Sequence, residues 1–125
     1  MATRLMAGSE RRRAERVPER VTVSMTDGGR VFQTETQNIS AVGAYCTLDR
    51  FIPPMSKLQL DFELPQSFRR VRIRCAGVVV RVEPVVLSGQ QLQYHVALFF
   101  TELSERHRSA ISRFVRQRLA HPPTV

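Results

Sequence analysis

Two stretches of this chain combine residue types that can hold an anion. The first is the run Glu10-Arg11-Arg12-Arg13-Ala14-Glu15-Arg16-Val17-Pro18-Glu19-Arg20. Six arginines fall in the first twenty residues, with no aliphatic pattern around them to bury them. The formal net charge is +8, and Lys57 is the only lysine, so the excess is an arginine excess. That matters because a guanidinium grips phosphate or a guanine edge with a two-pronged fork and stacks on flat rings, whereas an ammonium is a point charge. The second stretch is Asn38-Ile39-Ser40-Ala41-Val42-Gly43, which sets an amide, a hydroxyl and a glycine within six residues. Alone, the first stretch is a solvated tail or a ligand grip. The second is a turn that satisfies its own amides, with Gly43 in an unusual φ, or a place where backbone is offered to a ligand.

Other chemistry finds little support. His95, His107 and His121 are scattered, with no nucleophile or carboxylate pair placed near them, so neither catalytic residues nor enzymatic activity is expected. Two separated cysteines and three histidines lack metal-ligand spacing, and no phosphate-cradling glycine loop is present, so no metal or cofactor is expected. Cys46 and Cys75 each sit in a strand-like apolar run and read as buried thiols.

The elements that must position these residues follow from periodicity. A length of 125 residues suits one domain able to bury a core without staples. Val21 to Met25 alternates as a half-buried strand, Asp27-Gly28-Gly29 supplies a tight hairpin, and Val31 to Thr36 returns. Gly43 to Leu48 is a third strand. In the fourth, Leu58, Leu60, Phe62 and Leu64 share one face while Lys57, Gln59, Asp61 and Glu63 share the other. Arg70 to Cys75 is a fifth with arginines along one face, turning apolar on both faces beyond Gly77 as at a bulge. Pro84 to Gln91 reads as a loop and Tyr94 to Phe100 as a sixth strand. Ser104 then caps a helix along which Leu103, His107, Ala110, Ile111, Phe114, Arg118 and Leu119 recur at helical spacing, ended by His121-Pro122-Pro123. The fold class expected is all-β with one terminal helix, a six-stranded antiparallel barrel whose closure removes exposed edges. Residues 1–9 and 120–125 are expected to be tails around a domain at 10–119.

Taken together, the two stretches resemble the PilZ family of bacterial cyclic di-GMP receptors. Its pattern is an R-x-x-x-R pair ahead of the barrel and a [D/N]-x-S-x-x-G turn some twenty to thirty residues later. Arg12-Arg13-Ala14-Glu15-Arg16 fits the first half and Asn38 to Gly43 the second, in the right order and spacing. The barrel, the phenylalanine at the end of the sixth strand and the helix after Thr-Glu-Leu-Ser are similar too, so the resemblance covers roughly residues 10 to 119.

The resemblance implies a non-enzymatic receptor or adaptor for cyclic di-GMP. The ligand would fold the N-terminal segment over the barrel face and so alter a surface read by an effector protein. It implies Arg12 and Arg16 as the grip on phosphate and guanine, Asn38 at a guanine edge, Ser40 hydrogen-bonding nearby and Gly43 admitting close approach of backbone. Arg11 is the position associated in the family with a stacked ligand dimer. Where the family often has aspartate this chain has Asn38, whose neutral amide accepts from guanine less strongly, by about 1 kcal/mol.

Two other readings stay open, a barrel of the same fold that binds only proteins and a small nucleic-acid-binding barrel. The latter calls for stacking aromatics along a basic groove, and the chain has two tyrosines and no tryptophan. Arg70, Arg72 and Arg74 read as a solvated strand face. No apolar run is long enough to cross a bilayer, Ala76 to Val80 being the longest, so no membrane span is expected and a cytoplasmic location is.

Overall fold

The computed structural model describes residues 15–66, 69–87, 89 and 91–120. Six strands, β1 (Thr22–Asp27), β2 (Arg30–Ile39), β3 (Gly43–Leu48), β4 (Lys57–Pro65), β5 (Arg70–Val86) and β6 (Leu92–Thr101), precede one helix, α1 (Glu105–Ala120). They close as a barrel in the order β1-β2-β3-β6-β5-β4, antiparallel at every pairing. The all-β, helix-capped fold class is therefore as the periodicity predicts.

Alternation sets the inside of the barrel. Leu58, Leu60, Phe62 and Leu64 of β4 are all buried, as are Val23 and Met25 of β1, Ala44, Cys46 and Leu48 of β3, and Val96, Leu98 and Phe100 of β6. Each large aliphatic among them contributes about 1.5–3 kcal/mol by leaving water. Gly28 and Gly29 take positive φ values of 54° and 93° at the β1–β2 hairpin, the backbone that two adjacent glycines permit. Both cysteines are free and buried, and burial pushes the Cys46 thiol up to about 12 and the Cys75 thiol to about 11.

At the start of α1 the Ser104 hydroxyl accepts from the His107 amide at 3.1 Å, the expected cap. Ala110, Ile111, Phe114 and Val115 turn into the core, whereas Leu119, expected on that face, is 44% exposed. Residues 121–125 lie outside the described residues.

Two strands run further than their patterns suggest. β5 continues through Pro84 to Val86, where a loop was expected. β4 stops pairing with β5 at Val78, and a register shift between Val79 and Arg81 marks a bulge. Beyond it β5 pairs with β6 alone, so Pro84 sits on an open-edged strand where its missing N–H costs nothing. β2 likewise extends past Thr36 to Ile39, and that extension shapes the site.

Candidate functional site

In an unbroken strand Thr36 and Asn38 would share a face. The β2–β3 register slips between them, Thr36 opposing Cys46 and Asn38 opposing Tyr45, so Gln37 is the extra residue of a bulge. Its side chain is anchored at 2.5 Å to the Thr47 hydroxyl. The slip reverses the parity. Thr36 and Ile39 both point inward, 1% and 0% exposed, and Asn38 is turned to the half-exposed outer side.

The chain ahead of β1 is laced to this end of β2. Val17 and Ile39 form a bridge, the Val17 amide donating to the Ile39 carbonyl at 2.9 Å and the Ile39 amide to the Val17 carbonyl at 3.0 Å. Val17 is 2% exposed, so an apolar anchor sits directly after the arginine pair. Thr36 provides a second tie. Its hydroxyl donates to the Glu19 carbonyl at 2.6 Å and accepts from the Val21 amide at 2.9 Å, and its own amide donates to the Val21 carbonyl at 2.9 Å. Two ties across the same end of β2 fix the direction in which the preceding residues leave the barrel.

The outcome is a contact between residues 22 positions apart. Arg16 Nη1 donates to Asn38 Oδ1 at 3.0 Å, so the two sequence stretches meet. Among the described residues no carboxylate lies within ion-pair distance of Arg16, and its charge is shared with a neutral acceptor only. The Asn38 amide nitrogen has no protein partner among the described residues, leaving a donor and a spare lone pair on one side chain. Arg11 and Arg12, the other expected grips, and Arg13 lie outside the described residues.

Ser40 and Gly43 are placed differently from a direct ligand contact. Ser40 is fully buried, and its hydroxyl accepts from the amides of Val42 and Gly43, both at 3.2 Å, while approaching the Gly43 carbonyl at 3.3 Å. It holds the turn from within. A side chain on Gly43 would put Cβ 2.1 Å from the Leu98 carbonyl oxygen, so the glycine permits close approach of β6 rather than supplying positive φ. Both residues act on the site by fixing where Asn38 stands.

Two clefts are lined by sequence neighbours of Arg16 and Asn38, though by neither residue itself. One of about 510 Å³ runs over the outer barrel face, lined by Arg20 and Glu35 with Thr34, Gln37, Thr47 and Gln93. The other, about 180 Å³, is where Glu15 and Ala41 meet Ser112, Val115, Arg116 and Leu119 of α1. Helix and arm are also joined by an ion pair, Arg118 Nε to Glu19 Oε1 at 2.8 Å, angled outside hydrogen-bond geometry, with the guanidinium over the Phe114 ring at 5.0 Å. Thr36, Val17, Glu19 and the Arg20 cleft were not singled out from the sequence.

Three comparisons with known proteins bear on this geometry. The family described as PilZ domain matches residues 10–117. No curated protein matches. Among solved structures, the Bacillus subtilis inhibitor of motility MotI (DgrA) superposes with a TM-score of 0.74 at 19% identity, covering 88% of this chain and 52% of that one. MrkH of K. pneumonia superposes with a TM-score of 0.70 at 13% identity, covering 85% and 48%. The PilZ domain of YcgR from Escherichia coli, solved with c-di-GMP, superposes with a TM-score of 0.66 at 13% identity, covering 88% and 94%. The chain thus spans about half the length of the first two, and at these identities the likeness is one of fold.

Proposed function

The chain belongs to the PilZ domain family, and on that premise we propose that it is a non-enzymatic cytoplasmic receptor for cyclic di-GMP. The observation that carries the reading is the 3.0 Å contact between Arg16 and Asn38, which joins the halves of the family's motif, with an outer-face cleft reaching Gln37, the residue before Asn38. The ligand offers two phosphates and two guanines. Arg16, unneutralised by carboxylate among the described residues, takes a phosphate or the guanine O6 and N7 edge through its fork. Asn38, whose Oδ1 keeps a lone pair and whose Nδ2 is unengaged by described residues, meets a guanine edge. Arg12, four positions earlier in sequence, would complete the pair, and Arg11 would meet a second, stacked ligand. Ser40 and Gly43 serve by holding the turn. That c-di-GMP accompanies the YcgR domain agrees with this assignment.

The segment from Val17 to Arg20, expected to be ordered by ligand together with the arginines before it, is already tied to the barrel, so binding would act on Arg11 to Arg16 and change a surface read by an effector. The route is the Val17 and Thr36 ties, which convert a pull on Arg16 into a shift of Glu19 and so of Arg118 on α1. A ligand that selects the folded state stabilises it, by about 2.7 kcal/mol at a hundredfold excess over Kd. Calorimetric titration and thermal melting with cyclic di-GMP, using GMP and cyclic di-AMP as controls, test the reading. Saturable heat and a raised Tm for cyclic di-GMP alone are expected. A silent titration with an unmoved Tm overturns it and leaves the protein-binding barrel standing.

A further inference from the structure

A further cleft, of about 400 Å³, lies between the first residues of β5 and α1 and shares no lining residue with the two described above. Its polar walls are Arg69, Arg70, Arg72, Arg106 and Arg113, with His107 and Ser109, and its floor includes Val71 and the buried Ala110. Among the described residues no acidic side chain lines it. Arg70 and Arg72 lean on Glu63 and Asp61 of β4 at 3.6 and 2.6 Å. Arg69, Arg106 and Arg113 have no carboxylate within 4.0 Å among the described residues. Three arginines without a carboxylate partner among the described residues thus line one cleft, an arrangement in which like charges repel and an incoming anion gains.

We propose that this cleft docks an acidic peptide segment of a partner protein, its carboxylates held by Arg69, Arg106 and Arg113. The dimensions and lining select this occupant among polyanions. The cleft accommodates a few side chains at once, and the planar fork matches a carboxylate with two parallel hydrogen bonds. Among the described residues its only aromatic ring is the small imidazole of His107, so a single-stranded nucleic acid finds no row of rings on which to stack successive bases. Among the described residues none of the strongly exposed apolar side chains borders it, which disfavours a membrane surface as the occupant.

The cleft's place on α1 gives it a role in output. Arg106, Ser109, Ala110 and Arg113 form one helical stripe, and Ser112, Val115, Arg116 and Leu119 form another about 120° round the axis, facing Glu15 and the Asn38–Gly43 turn through Ala41. One face of the same helix meets the nucleotide site and another meets the arginine cleft. The docking itself does not depend on nucleotide binding and is tested without it.

The probe is a fluorescently labelled decapeptide of alternating glutamate and serine, followed by anisotropy on the whole chain. Saturable binding is expected, weakened about tenfold or more in the triple variant Arg69→Glu/Arg106→Glu/Arg113→Glu and about twofold or less in the charge-matched control Arg30→Glu/Arg50→Glu/Arg81→Glu. The milder Arg69→Gln/Arg106→Gln/Arg113→Gln variant, with an unchanged circular dichroism spectrum and Tm, guards against misfolding and is expected to lose affinity as well. Equal losses in the two charge-reversed triples would reduce the effect to net charge and overturn the proposal. So would binding of a generic DNA oligonucleotide or of phosphatidylserine vesicles through these three arginines when the peptide does not bind.

Discussion

Arg72 on β5 and Arg16 ahead of β1 are both exposed guanidiniums held by a side chain, and the holders differ in charge. Arg72 clasps Asp61 with two hydrogen bonds of 3.0 and 2.6 Å, and Arg74 adds a 3.5 Å contact to the same carboxylate. The Arg72 hydrogen bond holds the Asp61 carboxyl below the usual aspartate range, with the charges of Arg72 and Arg74 assisting against partial burial. The cleft beside this row mixes Asp61 and Glu63 with Arg20, Arg70 and Arg72, so its charges largely cancel. Arg16 is met instead by the neutral Asn38. An arginine facing carboxylates across a strand pair has spent its charge on the fold, whereas one facing an amide keeps it for a ligand. Arginine density in sequence does not separate the two cases, but the residue opposite each arginine does.

The largest effect expected on this contrast comes from Gly43→Ala. Its Cβ would meet the Leu98 carbonyl, which is backbone and cannot swing aside. A loss of about 3 kcal/mol or more in urea unfolding is expected, together with loss of cyclic di-GMP binding, because Asn38 is no longer held. Thr36→Val comes next. It removes a hydroxyl that accepts from Val21 and donates to Glu19, leaving a buried amide unpaired at a cost of about 1–3 kcal/mol. Cyclic di-GMP affinity should fall as well, since Arg16 loses one of its two rails, while the β4–β5 ion pairs are untouched.

Asp61→Asn is expected to have the smallest effect, that of an exposed pair screened by solvent. Because the folded Asp61 pKa is depressed, its stabilisation is present above the ordinary aspartate pKa and vanishes as pH falls through the lower folded value. Melting curves of Asp61→Asn and of the unaltered protein should therefore differ slightly near neutral pH and converge in acid, with cyclic di-GMP binding equal in both. A large binding defect in Asp61→Asn would erase the distinction between the two regions.

How much was legible beforehand follows the physics of each signal. The β4 alternation, the Gly28-Gly29 hairpin and the Ser104 cap are local and came through intact. The motif residues Asn38, Ser40 and Gly43 were legible as a set, but not their division of labour, because Ser40's burial and Gly43's contact with Leu98 depend on β6, which is remote in sequence. The β2 bulge was hidden because a one-residue slip looks like broken alternation, which had shortened the strand to Thr36. Pro84 misled because its edge position is a fact of barrel topology rather than of its neighbours. The Val17 and Thr36 ties and the Glu19–Arg118 pair are long-range contacts that no local period announces.

The most direct test compares the two regions in one titration series with cyclic di-GMP: the unaltered protein, Arg16→Ala and Arg72→Ala. Loss of a charged hydrogen bond, about 1.5–3 kcal/mol, corresponds to a Kd weakened about tenfold or more in Arg16→Ala. Arg72→Ala should stay within about twofold of the unaltered protein, the scale of one remote surface charge. Unchanged affinity in Arg16→Ala, or equal losses in both variants, would contradict the account.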